Sequence, residues 1–95
     1  MDQLFYIVAY DIPDDRRRTK VAKILEDYGD RVQYSIFELL LDSPQRLASL
    51  RRRLYRVIDS EADSVRIYFL CARCRPSIEV IGLGTPTEDP HAYVV

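Results

Sequence analysis

The chain has 95 residues, 47% of them hydrophobic and 31% charged, which makes one globular domain with a real core but no deep cleft of its own. No apolar run approaches the roughly 18 residues that span a bilayer, and the first residues lack the basic flank and cleavage site of a leader, so the reading is a cytoplasmic protein with no membrane partner. A formal net charge of −1 argues against indiscriminate binding to nucleic acid, yet the cations are twelve Arg against two Lys; Arg offers a planar fork of donors that matches phosphate, although an Arg-rich composition accounts for the count equally well.

Leu4-Phe5-Tyr6-Ile7-Val8-Ala9-Tyr10 is β-branched and aromatic and is bounded by Asp11-Ile12-Pro13-Asp14-Asp15, which predicts a buried strand with Asp11 at its tip. Arg16, Arg17 and Arg18 follow at once. A carboxylate at a strand end beside guanidinium groups suits a divalent metal or a phosphate backbone. Tyr6 and Tyr10 share one strand face; Tyr10, next to Asp11, is a candidate backbone contact, though core or interface packing is the preferred reading.

Val21, Ile24, Leu25 and Tyr28 fall at i, i+3, i+4, i+7 and predict a helix with Asp14 as N-cap and Gly29 as the closing C′ residue. Arg16, Arg17, Arg18 and Lys20 crowd its N-terminal end, where the macrodipole is already positive. Asp14, Asp15 and solvent offset part of this; the reading preferred here is a bound anion such as a phosphate.

Arg31 to Leu41 is β-rich and its alternation breaks around Ser35, so it reads as two short strands or one bulged strand. Ser43-Pro44 then opens a second helix, Ser as N-cap and Pro at the first helical position. Leu47, Leu50, Leu54, Val57 and Ile58 form its buried face, while Arg46, Arg51, Arg52, Arg53 and Arg56 read as a solvated face. Residues 64–70 are a further strand, followed by Cys71-Ala72-Arg73-Cys74, and residues 77–82 read as the last strand. Residues 83–95 hold Gly84, Pro86 and Pro90 and read as a tail, loose or docked on a partner, whose Tyr93-Val94-Val95 is apolar enough to add to another sheet. There is no internal repeat and no linker. The order is β-α-β-β-α-β plus an extra C-terminal strand: an α+β, ferredoxin-like antiparallel sheet with both helices on one face, occupying residues 1–82.

The run Tyr10-Asp11-Ile12, then Arg16-Arg17-Arg18, then Gly29-Asp30-Arg31-Val32-Gln33-Tyr34-Ser35-Ile36-Phe37-Glu38, resembles the CRISPR-associated "Cas-two" family, the smaller of the two proteins that acquire new spacers. Asp63-Ser64-Val65-Arg66-Ile67-Tyr68 and Leu70-Cys71-Ala72-Arg73-Cys74 are also similar to that family, and the likeness spans residues 4 to 82. The resemblance implies a symmetric homodimer in which each C-terminal strand joins the partner's sheet. It implies paired Asp11 carboxylates holding Mg²⁺ or a similar cation, metal-dependent endonuclease chemistry on RNA or double-stranded DNA, and a platform role beside the Cas-one integrase. Asp11 is then the catalytic and metal-binding residue, with Tyr10, Arg16, Arg17 and Arg18 on the nucleic acid. Two readings stand against it: a free-standing toxin-type endoribonuclease of the same fold, and an interaction module with no nucleic-acid role, for which the near-zero charge argues.

Other chemistry is poorly supported. One Cys-X-X-Cys falls short of the four ligands of a zinc site, and Cys71 and Cys74 read by default as buried reduced thiols. His91, the only histidine, lies in the tail and permits no Ser/His/Asp arrangement. Three glycines make no phosphate loop.

Overall fold

A computed structural model describes residues 3–85. The elements run β1 (Leu4–Asp11), α1 (Asp15–Glu26), β2 (Gly29–Gln33), β3 (Ile36–Leu41), α2 (Pro44–Tyr55) and β4 (Ser64–Leu70), closed by a single 3₁₀ turn at Arg75–Ser77. The four strands form one antiparallel sheet in the order β2-β3-β1-β4, which is the expected β-α-β-β-α-β plan. No helix among the described residues is long and apolar enough to cross a membrane.

Both helix starts follow their capping residues. The Asp14 carboxylate accepts from the Arg17 backbone N–H at 2.9 Å, and the Ser43 hydroxyl accepts from that of Arg46 at 3.4 Å, ahead of Pro44; caps of this kind contribute about 1 kcal/mol each. The predicted stripe of α1 is buried at Val21, Ile24, Leu25 and Tyr28, and that of α2 at Leu47, Leu50 and Leu54; Val57 and Ile58 lie beyond the end of α2 and pack half-buried against the same core.

Strand pairing decides which side chains meet these helices. Leu4, Tyr6, Val8 and Tyr10 stand opposite Leu41, Leu39 and Phe37 of β3 and opposite Phe69, Ile67 and Val65 of β4, so these share the helix-covered face. Val8, Phe37, Leu39, Val21, Leu25 and Leu50 are fully enclosed there, each burial contributing about 2 kcal/mol. The alternate residues, Phe5, Ile7, Ala9 and Asp11 with Ile36, Leu40, Tyr68 and Leu70, lie on the other face, which carries no helix. Phe5 alone is fully buried on that side, with the Arg75 guanidinium 5.2 Å from its ring.

The break at Ser35 is a turn between two strands, and β2 meets β3 with a register irregularity between Arg31 and Gln33. Gly29 has another role than the one expected. It is not in the left-handed conformation of a C′ residue; it opens β2, where an added Cβ would lie 2.3 Å from the Glu38 carbonyl oxygen. A second correction concerns residues 77–82. They form no strand within the chain: residues 75–77 close a 3₁₀ turn and the following residues pair with no ladder. A strand needs a free edge to bond to, and this segment leads away from its own sheet with Ile81 95% and Leu83 102% exposed. Of the predicted tail, residues 86–95, with His91 and Tyr93-Val94-Val95, fall outside the described residues.

Candidate nucleic-acid and metal site

Asp11 is the last residue of β1 and forms the final antiparallel pair with Ser64 of β4. Ladder alternation puts its carboxylate on the helix-free face, and it is exposed. Among the described residues no three His, Cys, Asp or Glu side chains gather to hold a metal. Asp11 is thus a single carboxylate at the open end of the central strand.

The three arginines beyond it separate into different roles. The Arg17 Nε and Nη2 donate to both carboxylate oxygens of Asp63 at 2.8 and 3.1 Å, a bidentate pair joining the start of α1 to the residue before β4. The Asp63 side chain is closed to solvent and also accepts from the Asp59 backbone N–H at 2.9 Å. The hydrogen bond from Arg17 holds the Asp63 carboxyl below the usual carboxylate range, against the opposing effect of burial, and the same bond raises Arg17. Arg18 donates to the Ile12 carbonyl at 2.8 Å and pairs with Asp15. Of the three only Arg16 is exposed, and among the described residues it makes no hydrogen bond or ion pair.

Two of the cations at the start of α1, Arg17 and Arg18, are answered inside the chain by Asp63 and Asp15, and Asp14 caps the helix beside them. Sequence reasoning missed Asp63 because it lies 46 residues from Arg17. Only the fold brings the two together.

Tyr10 is a correction. It is 5% exposed, its hydroxyl donates to the Tyr34 carbonyl at 3.3 Å and accepts from Arg31 Nη2 at 3.2 Å, and its ring lies 6.3 Å from that of Phe37. A tyrosine held in this way belongs to the core and is closed to a phosphate backbone.

The arginines of α2 divide too. Arg46 and Arg53 lie 4.5 and 5.5 Å from the centre of the Tyr28 ring, and Arg53 pairs with Asp27 at 2.9 Å. Burial pushes the Tyr28 phenol up, but hydrogen bonds with Ser49 and Arg53 outweigh it and leave the group below its ordinary value. Arg51, Arg52 and Arg56 are exposed and unpaired, as expected of a solvated face. Cys71 and Cys74 are also exposed, not buried, because the turn that carries them lies outside the core.

Residues 4–78 match the family model described as CRISPR associated protein Cas2. The chain belongs to the Cas2 family. A Cas2 relative from Chloroflexus aurantiacus, named a CRISPR-associated endoribonuclease, is 52% identical over 97% of this chain and all of its own length. The solved Streptococcus pyogenes Cas2 superposes with a TM-score of 0.72 at 34% identity, covering 82% of this chain and 99% of that one. A chain of a partial Cas6-RT-Cas1–Cas2 complex superposes with a TM-score of 0.71 at 28% identity, covering 82% and 90%. The resemblance drawn from the opening motif is thus borne out at the level of family and fold, and the Cas2 sheet is the frame on which Asp11 and Arg16 are displayed.

Proposed function

We propose that this protein is a CRISPR adaptation factor: a homodimeric nucleic-acid-binding platform for spacer acquisition with the Cas1 integrase, carrying Mg²⁺-dependent endonuclease chemistry on RNA or double-stranded DNA. It works in the cytoplasm, where those polymers are. The observation that carries the reading is Asp11, an exposed carboxylate ending the central strand on the bare face of a Cas2 sheet. Names support it as well. The endoribonuclease relative matches almost the whole chain, and the chain from the Cas1–Cas2 complex shares its fold. This favours the adaptation reading over a free-standing toxin.

One carboxylate per chain fits the metal only if two chains supply it. Mg²⁺ keeps several of its waters and is commonly held by one or two carboxylates, so two Asp11 side chains related by a two-fold axis form a suitable donor set. When bound, the ion supplies an activated water and stabilises the leaving oxygen of a phosphodiester. The protein's own part is to hold each Asp11 at a fixed strand end and to present Arg16 to the phosphates. Arg17 and Arg18 act behind it by fixing the loop that joins β1 to α1. Backbone contacts of this kind position a duplex without reading its sequence.

The helix-free sheet face supports a dimer, since Ile7, Ala9, Ile36, Leu40 and Leu70 are only half-buried on it and Tyr68 is 50% exposed. Along the edge of β4, Phe69 is 56% exposed, and the unpaired residues 78–82 are apolar enough to bond to that edge in a second copy.

Reconstitution with the integrase and a DNA duplex tests the platform, and Asp11→Asn tests the nuclease. Asp11→Asn keeps the shape and removes the charge, so it should abolish Mg²⁺-dependent cleavage while duplex binding and integration persist. Cleavage surviving with full Mg²⁺ dependence would show that Asp11 does not hold the metal. Binding abolished in an intact dimer would make Asp11 part of the platform itself.

A further inference from the structure

The turn that leaves β4 carries chemistry the proposed function does not use. Cys71 and Cys74 are the only two cysteines of the chain, both exposed and unbridged, with their sulfurs 3.3 Å apart. The Cys71 carbonyl accepts from the backbone N–H of Cys74 at 2.9 Å and from that of Arg75 at 3.2 Å, a tight turn that brings the two side chains together on one side. Such a turn holds its end Cα atoms within about 7 Å, which overlaps the roughly 4.4–6.8 Å that a disulfide spans. The sulfurs need approach by only about 1 Å to reach the bonding distance of about 2.05 Å.

We propose that Cys71 and Cys74 form a reversible redox-modification site that a low-molecular-weight disulfide, of the glutathione disulfide class, converts into an intramolecular disulfide. The Cys71 thiolate attacks one sulfur of R–S–S–R, forming a mixed disulfide and expelling R–S⁻. Cys74 then loses its proton to solvent and its sulfur attacks Cys71 Sγ, expelling the second R–S⁻. The two protein thiols give up two protons and two electrons; the reagent's S–S bond takes both electrons and leaves as two thiols.

The surroundings of the two sulfurs favour Cys71 as the attacking thiol. The contact with the Cys74 sulfur is the main cause that lowers the Cys71 thiol below its ordinary value, with nearby backbone N–H groups adding to it, and the same contact raises Cys74. Thiolate is the nucleophile, and it forms at an accessible sulfur with N–H donors around it. A bond closing so short and exposed a loop gains little from chain entropy, which suits a labile, regulatory disulfide better than a structural one. Closure would lock the turn that directs Arg75 onto the Phe5 ring and sets the exit of residues 78–82. None of this depends on the nucleic-acid reading.

The test uses the full-length reduced protein equilibrated across ratios of glutathione to glutathione disulfide, acid-quenched, alkylated and weighed intact. The expected result is a loss of both alkylatable thiols together, with no accumulated state holding one, and full return on adding dithiothreitol. Cys74→Ser should stop at one stable glutathione adduct, and Cys71→Ser should acquire its adduct more slowly. Independent adducts on both cysteines of the wild type, disulfide-linked pairs of chains, equal rates for the two serine variants, or two free thiols at the most oxidising ratio would each overturn the proposal. Both positions are exposed, so far-UV circular dichroism of the variants should match the wild type and separate loss of chemistry from loss of fold.

Discussion

Arg16 and Arg17 are neighbours in sequence and opposites in circumstance. Arg17 is committed to Asp63, whereas Arg16 has no partner and faces water. Arg17→Ala should therefore lower the melting temperature by stranding a shielded carboxylate, with a smaller direct effect on duplex binding. Arg16→Ala should leave the melting temperature unchanged and flatten the salt dependence of duplex binding, by about 0.9 in log–log slope for each phosphate left without its guanidinium. Binding measured from low to high salt on both variants checks the division, and equal effects would refute it. Asp63 adds a pH signature. Its carboxyl is depressed in the fold, so its stabilising contribution is complete above the unfolded value near pH 4 and is lost as pH falls through the lower folded value. Acid titration should show Asp63→Asn less stable than the parent at neutral pH, with the gap closing towards pH 2. At this scale the sequence revealed the strand-end position of Asp11 and the capping role of Asp14, which depend on neighbours in the chain. It could not reveal that Tyr10 is spent on Tyr34 and Arg31 or Arg17 on Asp63, because those partners are supplied by other elements.

Among the elements, β2 rests on its first residue. Gly29 faces Leu39 across the ladder, and a Cβ there would meet the Glu38 carbonyl oxygen at 2.3 Å and the Leu39 Cα at 2.9 Å. Backbone atoms cannot swing aside as a side-chain tip can, so Gly29→Ala should cost about 3 kcal/mol in denaturant unfolding; a loss under about 1 kcal/mol would mean that β2 simply slides. The helices were legible from periodicity and caps, and the β2–β3 break from the interrupted alternation at Ser35. Residues 77–82 were not, because their β-rich composition states a preference for extended backbone and says nothing of which edge they bond to. The free β4 edge of their own chain is not the one they pair with, and composition alone cannot separate a strand that pairs at home from one that pairs elsewhere.

The whole molecule exposes the clearest demand for a second copy. The proposed dimer would cover a sheet face that carries no helix and would pair an open β4 edge with an unpaired apolar segment. Truncation after Arg75 should give a monomer or an insoluble chain, and sedimentation at micromolar concentration checks it; a full-length protein that stays monomeric there would exclude the dimer. Family and topology were readable from the opening motif and the order of elements, since both are properties of the chain in sequence. The way two chains meet is not, for it depends on surfaces that only the folded sheet creates. The solitary placement of Asp11 carries a kinetic corollary. In the proposed centre each chain gives one carboxylate, so below the dissociation constant the cleavage rate should rise with the square of the protein concentration, and halving the protein should leave about a quarter of the rate. Wild type mixed with an equal amount of Asp11→Asn and left to exchange would keep both carboxylates in only about a quarter of its pairs. The silent copy would then act dominantly, disabling each intact chain it joins.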